Sequence, residues 1–309
     1  MSPARPGAGR AAGILALLAA ALAPAPPATA QDFSKVEIRT RKLADTVWML
    51  TGAGGNLGLS AGEDAVFLVD DQYAPLTGKI QAAVAAVSKK PLRFVLNTHW
   101  HFDHTGGNES LGAAGALIVA HDNVRKRMNA GQFIEFLRMN TAPQPKVALP
   151  VVTFSADATF HLNGDEIRAF HVPRAHTDGD TIVHFAKSDV IHMGDVHFNG
   201  MYPFIDASSG GTVDGVIAAV DRALALATER TKIIPGHGPL ATRADLQAYR
   251  DMLATIAARI RKMIAEGRNL DDIAASGVTA DFDGTWGKGF IAPQRFVGMV
   301  AADLMKHAP

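Results

Sequence analysis

Most of the chain is written in short apolar blocks separated by glycine, proline and polar turns. Val36–Arg39, Val47–Thr51, Asn56–Ser60, Ala65–Asp70 and Leu92–Asn97 are too brief for helices and are predicted as strands. Gly52, Gly54 and Gly55 lie between two of these blocks and lead into a strand, so they mark a hairpin loop and not a phosphate cradle. Pro75 opens a stretch whose apolar positions Leu76, Ile80, Val84 and Val87 fall on one helical face. Leu117–Ala120 reads as a strand, and Asp122 to Met139 as helical. The second half repeats the pattern, with strands at Val151–Phe154, Thr159–Leu162, Glu166–Val172, Thr181–Phe185 and Val190–Met193. A helix follows through Val213, Val216, Ile217, Val220 and Leu224, then a strand at Lys232–Ile234. Strands followed by a helix in each half imply two sheets packed face to face with helices outside.

After Pro239 the pattern becomes helical throughout. Thr242 and Asp245 form a capping pair, and Leu246, Tyr249, Leu253, Ile256, Ile260 and Met263 make one apolar stripe that ends near Gly267. A last helix is predicted from Pro293 to Lys306. The expected division is therefore a main domain at 31–240 and a C-terminal helical extension at 241–309.

The first thirty residues follow different rules. Arg5 and Arg10 precede the apolar run Ala11–Ala23, and Ala28-Thr29-Ala30 is a small-x-small cleavage pattern. That is the architecture of a secretory signal peptide over residues 1–30, with cleavage expected near Ala30. The run is shorter than the roughly 20 apolar residues that span a bilayer, so no stable membrane anchor is expected after cleavage. The mature protein is expected to be secreted or periplasmic.

Composition narrows the chemistry. The 309 residues carry 30 basic and 30 acidic side chains, so the formal net charge is zero. Balanced charge without a long like-charged run gives no footprint for a nucleic-acid partner. Cysteine is absent, which removes disulfides, thiolate metal sites and cysteine nucleophiles, whereas histidine occurs 12 times.

The histidines concentrate in Thr98-His-Trp-His-Phe-Asp-His-Thr-Gly-Gly107, directly after an apolar strand. Imidazoles at i and i+2 off a strand end, His99 and His101, can converge on one divalent metal. Asp103 and His104 can face a second beside it. Imidazole and carboxylate are the ligands zinc takes when no thiolate is offered. His176, Asp195 and His237 each follow another predicted strand in a turn bearing glycine or proline. One such histidine is weak evidence; the ordered set is strong.

In these residues the chain resembles the metallo-β-lactamase fold superfamily over roughly Lys35 to Pro239. The resemblance implies an α/β protein, a four-layer αββα sandwich, with two divalent metal ions, Zn2+ by ligand type, at one edge of the sheets. It implies that His99, His101 and His176 hold one metal, that Asp103, His104 and His237 hold the other, and that Asp195 bridges. Asp70, at the end of the Ala65–Asp70 strand, would either orient the ligand loop from behind or simply cap its strand. His197 would line the pocket if strand alternation carried on from Asp195; otherwise it has no role there, and His161, His171, His184 and His192, within or beside predicted strands, are read as packed or surface residues.

The expected activity is hydrolysis of a small-molecule ester, thioester or lactone by metal-bound hydroxide, with Asp103 holding the hydroxide and passing a proton. Two alternatives remain: a β-lactam hydrolase, consistent with export, and an iron-dependent persulfide oxygenase, for which seven ligand-type residues are too many. Aspartate at position 195, where one lactamase group has cysteine, favours the first reading. So does the absence of lysine or arginine between Ser188 and Asp221, where Phe198, Met201, Tyr202 and Phe204 suggest an apolar wall.

Overall fold

The structure is a computed structural model that describes Met1 and residues 32–307, so the expected export segment lies outside the described residues. Phe33–Pro309 make one compact unit, which contains everything described below.

Seven strands form the first sheet: β1 (Arg39–Lys42), β2 (Val47–Thr51), β3 (Leu57–Ala61), β4 (Val66–Val69), β5 (Leu92–Leu96) and β6 (Leu117–His121), with β9 (Val152–Phe154) beside β6. Its pairing is antiparallel from β1 to β4 and parallel from β4 onward. The intervening strands β7 (Gln132–Ile134) and β8 (Met139–Thr141) pair only with each other, as a separate hairpin. The second sheet orders β10 (Asp157–Leu162), β11 (Asp165–His171), β12 (Thr181–Phe185), β13 (Val190–His192) and β14 (Lys232–Ile234); only β13 and β14 run parallel.

Four layers follow from where these strands are apolar. Phe67, Val69 and Leu96 of the first sheet meet Ile167, Val183, Phe185 and Ile234 of the second. The outer face of the first sheet, Leu59, Leu68 and Val95, packs on Ile80 and Val84 of α1 (Thr77–Val87) and on Leu111 of α3 (Asn108–Ala113). The outer face of the second sheet packs on α5 (Val213–Leu226), α6 (Arg243–Ala265) and α9 (Pro293–Lys306). Strands covered on both sides read as continuous apolar blocks, and β4 is buried at every position. Each such Val, Leu or Phe contributes about 1.5–3 kcal/mol by leaving water.

Several boundaries fell where expected. The Thr242–Asp245 capping box closes at the start of α6, and α9 spans the predicted residues. Two regions differ. Val36–Arg39 is not a strand: the backbone carbonyls of Phe33, Ser34 and Val36 are drawn to the Lys79 ammonium, and β1 begins only at Arg39. The helix expected over Asp122–Met139 stops as α4 (Asp122–Met128). Asn129-Ala130-Gly131 turns the chain, and Ile134 is buried by the β7–β8 hairpin instead. The extension also holds two short helices that the sequence pattern had not indicated, α7 (Leu270–Ala274) and α8 (Asp283–Trp286).

Candidate metal centre

β4, β5, β11, β13 and β14 all run in one direction within their sheets, and each is followed by a residue of the candidate set or by Asp70. Carboxyl ends of neighbouring strands form the usual crevice of such sheets. After β5 the chain bends through Thr98, His99 and Trp100 to an extended His101, which brings His99 and His101 into one cluster. It then turns helical as α2 (Phe102–Thr105), with the amides of His104 and Thr105 donating to the His101 carbonyl at 3.0 and 3.1 Å. That change of period swings Asp103 and His104 away from the first pair. The segment expected as a loop is therefore a strand end followed by a single helical turn, which divides one motif between two clusters.

In the first cluster, His101 Nδ1 stands 3.1 Å from His99 Nε2 and 2.9 Å from His176 Nε2. In the second, His237 Nε2 lies 3.4 Å from both Asp103 Oδ2 and His104 Nε2. Asp195 touches both: Oδ2 is 3.8 Å from His99 and 3.7 Å from His176, while its oxygens are 3.0 Å from His104 and 3.4 Å from His237. All seven residues named from the sequence are thus brought together, as His99, His101, His176 and Asp195 in one group and Asp103, His104 and His237 in the other.

The outer ring nitrogens decide what the inner ones can do. His101 Nε2 faces Asp206 Oδ2 at 3.0 Å, His176 Nδ1 faces the Phe204 carbonyl at 2.8 Å, and His104 Nδ1 faces Asp70 Oδ2 at 2.8 Å. Carboxylates and carbonyls only accept, so these outer nitrogens carry the proton, and the inner nitrogens of neutral rings present lone pairs. His101 and His176 then hold two lone pairs 2.9 Å apart. A shared cation relieves that arrangement, and the nitrogen and oxygen donor set suits zinc. Asp195 Oδ1, buried without a hydrogen bond, fits the same demand.

Electrostatics point the same way. Burial, then repulsion from His104, holds His99 well below the ordinary imidazole pKa, and burial lowers His176 to about 4. For His104 burial is outweighed by Asp195, Asp103 and Asp70, which raise it well above; for His237 burial is outweighed by Asp195 and Asp103, which raise it to about 9. The carboxylates of the second cluster thus call for positive charge.

Asp70 is the brace suggested by its place at a strand end. Its Oδ1 accepts from the Thr98 amide at 2.7 Å, and its Oδ2 accepts from the Thr98 hydroxyl and from His104 at 2.8 Å each. Sequence reasoning missed three contributors. Asp206 is fixed by the Ser208 hydroxyl and by the amide and hydroxyl of Ser209, and the turn Asp206-Ala-Ser-Ser was its only signal. The Phe204 carbonyl is backbone and leaves no signature. Gly55 is the third: a Cβ there would stand 2.1 Å from His104 Cε1, so the glycine loop packs directly on the second cluster.

A cavity of about 260 Å³ opens over Asp103, Asp195 and His237. Phe102, Ile134, Leu137, Phe198, Phe204 and Phe290 form its walls, with Tyr73 at one side. Burial, then the charges of Asp103 and Asp195, push the Tyr73 hydroxyl up to about 12. Two of the four residues expected in an apolar wall are there, Phe198 and Phe204. Tyr202 is buried elsewhere, stacked on Phe296 at 4.5 Å and donating to Asp283 at 2.8 Å, and Met201 lies against Gly289. His197 does not line the cavity. Gly194–Val196 is a 3-10 turn, which breaks the alternation from Asp195, so Phe198 faces inward and His197 is buried against Tyr249. Of the other histidines, His161 is exposed, His171 and His184 are half-buried, and His192 donates to the Asn56 carbonyl at 3.1 Å.

Known proteins are similar to this chain in sequence and in fold. The chain is 26% identical over 148 residues to a hydroxyacylglutathione hydrolase of Pelagibacter ubique (strain HTCC1062), covering 47% of this chain and 52% of that protein. It thus spans about half the length of that relative. It is 23% identical to the acyl-coenzyme A thioesterase MBLAC2 of Bos taurus, over 62% of this chain and 72% of that one. In fold it is similar to a metallo-beta-lactamase from Pontibacter korlensis, with a TM-score of 0.59 at 18% identity, over 71% of this chain and 99% of the other. The sequence model of the metallo-beta-lactamase superfamily matches residues 51–237. With most of the two sheets and all seven candidate ligands inside that match, the chain belongs to the metallo-beta-lactamase superfamily.

Proposed function

We propose that the protein is a dinuclear zinc-dependent hydrolase of an ester, thioester or lactone. His99, His101 and His176 hold one cation, Asp103, His104 and His237 hold the other, and Asp195 lies between. The observation that carries this reading is the contact of the Asp195 carboxylate with both clusters. Bound cations supply Lewis acidity and a water acidic enough to react near neutral pH. Asp103, lining the cavity floor, positions that water and takes and returns its proton. Asp70 and Asp206 keep protons on the outer nitrogens of His104 and His101, which holds the inner lone pairs in place. Cleavage forms a bond from the water oxygen to the acyl carbon and breaks the bond to the leaving oxygen or sulfur, which ends with the proton. The names of the hydrolase and thioesterase relatives support acyl chemistry.

β-Lactam hydrolysis ranks below this reading. A β-lactam carries a carboxylate, and no lysine or arginine is among the cavity-lining residues. A missing charge-assisted contact costs about 1.5–3 kcal/mol, roughly 10- to 150-fold in affinity. Export belongs to the same proposal, supported by the pattern of residues 1–30. Among the described residues no helix is long and apolar enough to cross a membrane. N-terminal sequencing of protein recovered from the periplasm or medium should begin at Gln31.

Metal analysis of the purified protein should approach two equivalents of zinc. One equivalent at saturation with full activity would end the dinuclear reading. On a panel of a lactone, a thioester and nitrocefin, acyl substrates should exceed the lactam in kcat/KM; efficient lactam turnover at about 10⁵ M⁻¹s⁻¹ or above would reverse the ranking.

A further inference from the structure

The cavity above the ligands has a composition that the hydrolase reading does not require. Apart from the candidate ligands, its lining is aliphatic or aromatic with a single polar side chain, Tyr73. Two of the apolar residues, Leu137 on the β7–β8 hairpin and Phe290 in the extension, are 42% and 58% exposed although they line it. Phe133 on the same hairpin is 52% exposed. Apolar surface gathered at the mouth of a cavity is surface that an apolar ligand covers. No lysine or arginine is among the lining residues, and the Arg295 guanidinium beside the hairpin is engaged over the Phe136 ring and with the Phe136 carbonyl, so an anionic tail inside the cavity would lose its hydration without replacement.

Tyr73 is placed by its ring, not by its hydroxyl. The ring packs on Phe33 at 5.1 Å and on Phe102 at 5.8 Å between centroids. The hydroxyl has no hydrogen-bond partner among the described residues, and Tyr73 lines the cavity together with Asp103 and Asp195, so it is open to a ligand there.

We infer that the site takes an uncharged acyl substrate whose apolar tail lies between the β7–β8 hairpin and Phe290, and that the Tyr73 hydroxyl donates a hydrogen bond to the substrate oxygen on which negative charge gathers. The binding half stands on the cavity alone. The Tyr73 half rests on the hydrolase reading, since only a reacting acyl group develops that charge. Tyr73 keeps its proton throughout, and water remains the nucleophile. This selects within the ester, thioester and lactone class: neutral esters and lactones with long tails exceed conjugates whose acyl end is anionic.

Calorimetry on the zinc-loaded protein separates the two halves. 2-Decanone, an unreactive neutral carbonyl with an apolar tail, should bind at least about tenfold more tightly than the same ketone bearing a terminal sulfonate, a poor metal ligand. Within a series of methyl ketones, affinity should rise about fourfold per methylene until the tail passes Phe290. Equal binding of the neutral and sulfonated ketones, or no dependence on length, overturns the apolar assignment. Tyr73→Phe preserves the ring packing, so zinc content and the ketone length series should not move, while kcat on a neutral ester should fall about tenfold or more. A kcat within twofold of wild type overturns the role of the hydroxyl. If the ketone preference holds but no acyl substrate is turned over, the cavity assignment stands and the hydrolase reading fails.

Discussion

The floor of the cavity and its apolar wall are held in place by different means. On the floor, His101, His104 and His176 are each fixed through an outer ring nitrogen to a separate acceptor, and Asp70 and Asp206 are themselves held by further hydrogen bonds. The candidate ligands come from the ends of distant strands, yet five of the seven are buried. On the wall, Leu137 and Phe290 are half in water, and the hairpin that carries Leu137 pairs with no other strand among the described residues. The hairpin is tied at its base by Arg127, which donates to both Asp178 oxygens at 2.7 and 2.8 Å and to Gln132 at 3.0 Å. On the proposed function, directional bonds define where the reaction occurs and loosely attached apolar surface defines what is admitted. Substitutions on the floor should therefore remove chemistry or metal, and those on the wall should change selectivity or local stability and leave the metal in place.

The largest effect is expected at Asp103, the floor residue that the proposed function makes both ligand and proton carrier. Asp103→Asn should lower turnover by about 10² or more. Its carboxylate lies near the cavity surface with 15% side-chain exposure, so the thermal midpoint should hardly move. Steady-state kinetics beside a melt test both parts, and near wild-type turnover would place the proton carrier elsewhere. Asp206→Ala comes next. It strips the acceptor from His101 Nε2 and leaves the Ser208 and Ser209 donors unmatched, and zinc affinity of the first cluster should drop about 10- to 100-fold in a chelator competition. Unchanged affinity would mean that His101 is oriented by packing, for which its stacking on Phe204 (5.8 Å, 19°) is the candidate.

The same contrast explains what the sequence made legible. His99, His101, Asp103, His104, His176, Asp195 and His237 each follow a short apolar block in a polar turn, and strand ends are readable from local pattern. Asp70 was readable as a strand-end carboxylate, although its bonds to Thr98 and His104 were not. Asp206 escaped because its role depends on a loop folding back over 105 residues to His101. The wall was read in part: Phe198 and Phe204 by position, but not Phe290, Ile134 or Leu137. Phe290 reaches the cavity from a helical extension that gives no periodic signal at that point. The hairpin was mistaken for helix because Val124 and Met128 of α4 continue at helical spacing, whereas the burial of Ile134 is decided by tertiary contact. His197 shows the reverse error, since a 3-10 turn of three residues reset the parity on which its placement depended.

A smaller effect tests whether the wall is separable from the floor. Arg127→Ala should loosen the hairpin base and cost about 1 kcal/mol in denaturant unfolding, as expected for a partly exposed pair. Zinc content should stay the same, and KM for long-tailed substrates should rise more than kcat changes. Loss of zinc in this variant would show that hairpin and ligands form one cooperative unit, against the contrast drawn above.

The smallest effect is expected at Phe290, and it is the most selective test. The ring is 58% exposed and packs only at 6.3 Å on Phe198 among the described aromatic rings, so Phe290→Ala should alter stability by no more than about 0.5 kcal/mol. Against an acyl tail, however, it supplies apolar area worth about 1 kcal/mol, roughly fivefold in kcat/KM. That loss should appear for octanoyl esters and vanish for acetyl esters, whose acyl group is too short to reach the mouth of the cavity. An equal loss on both would place Phe290 in support of the ligand floor, through Phe198 and its stacking on His237 at 5.1 Å, and would erase the distinction between the two sides of the cavity.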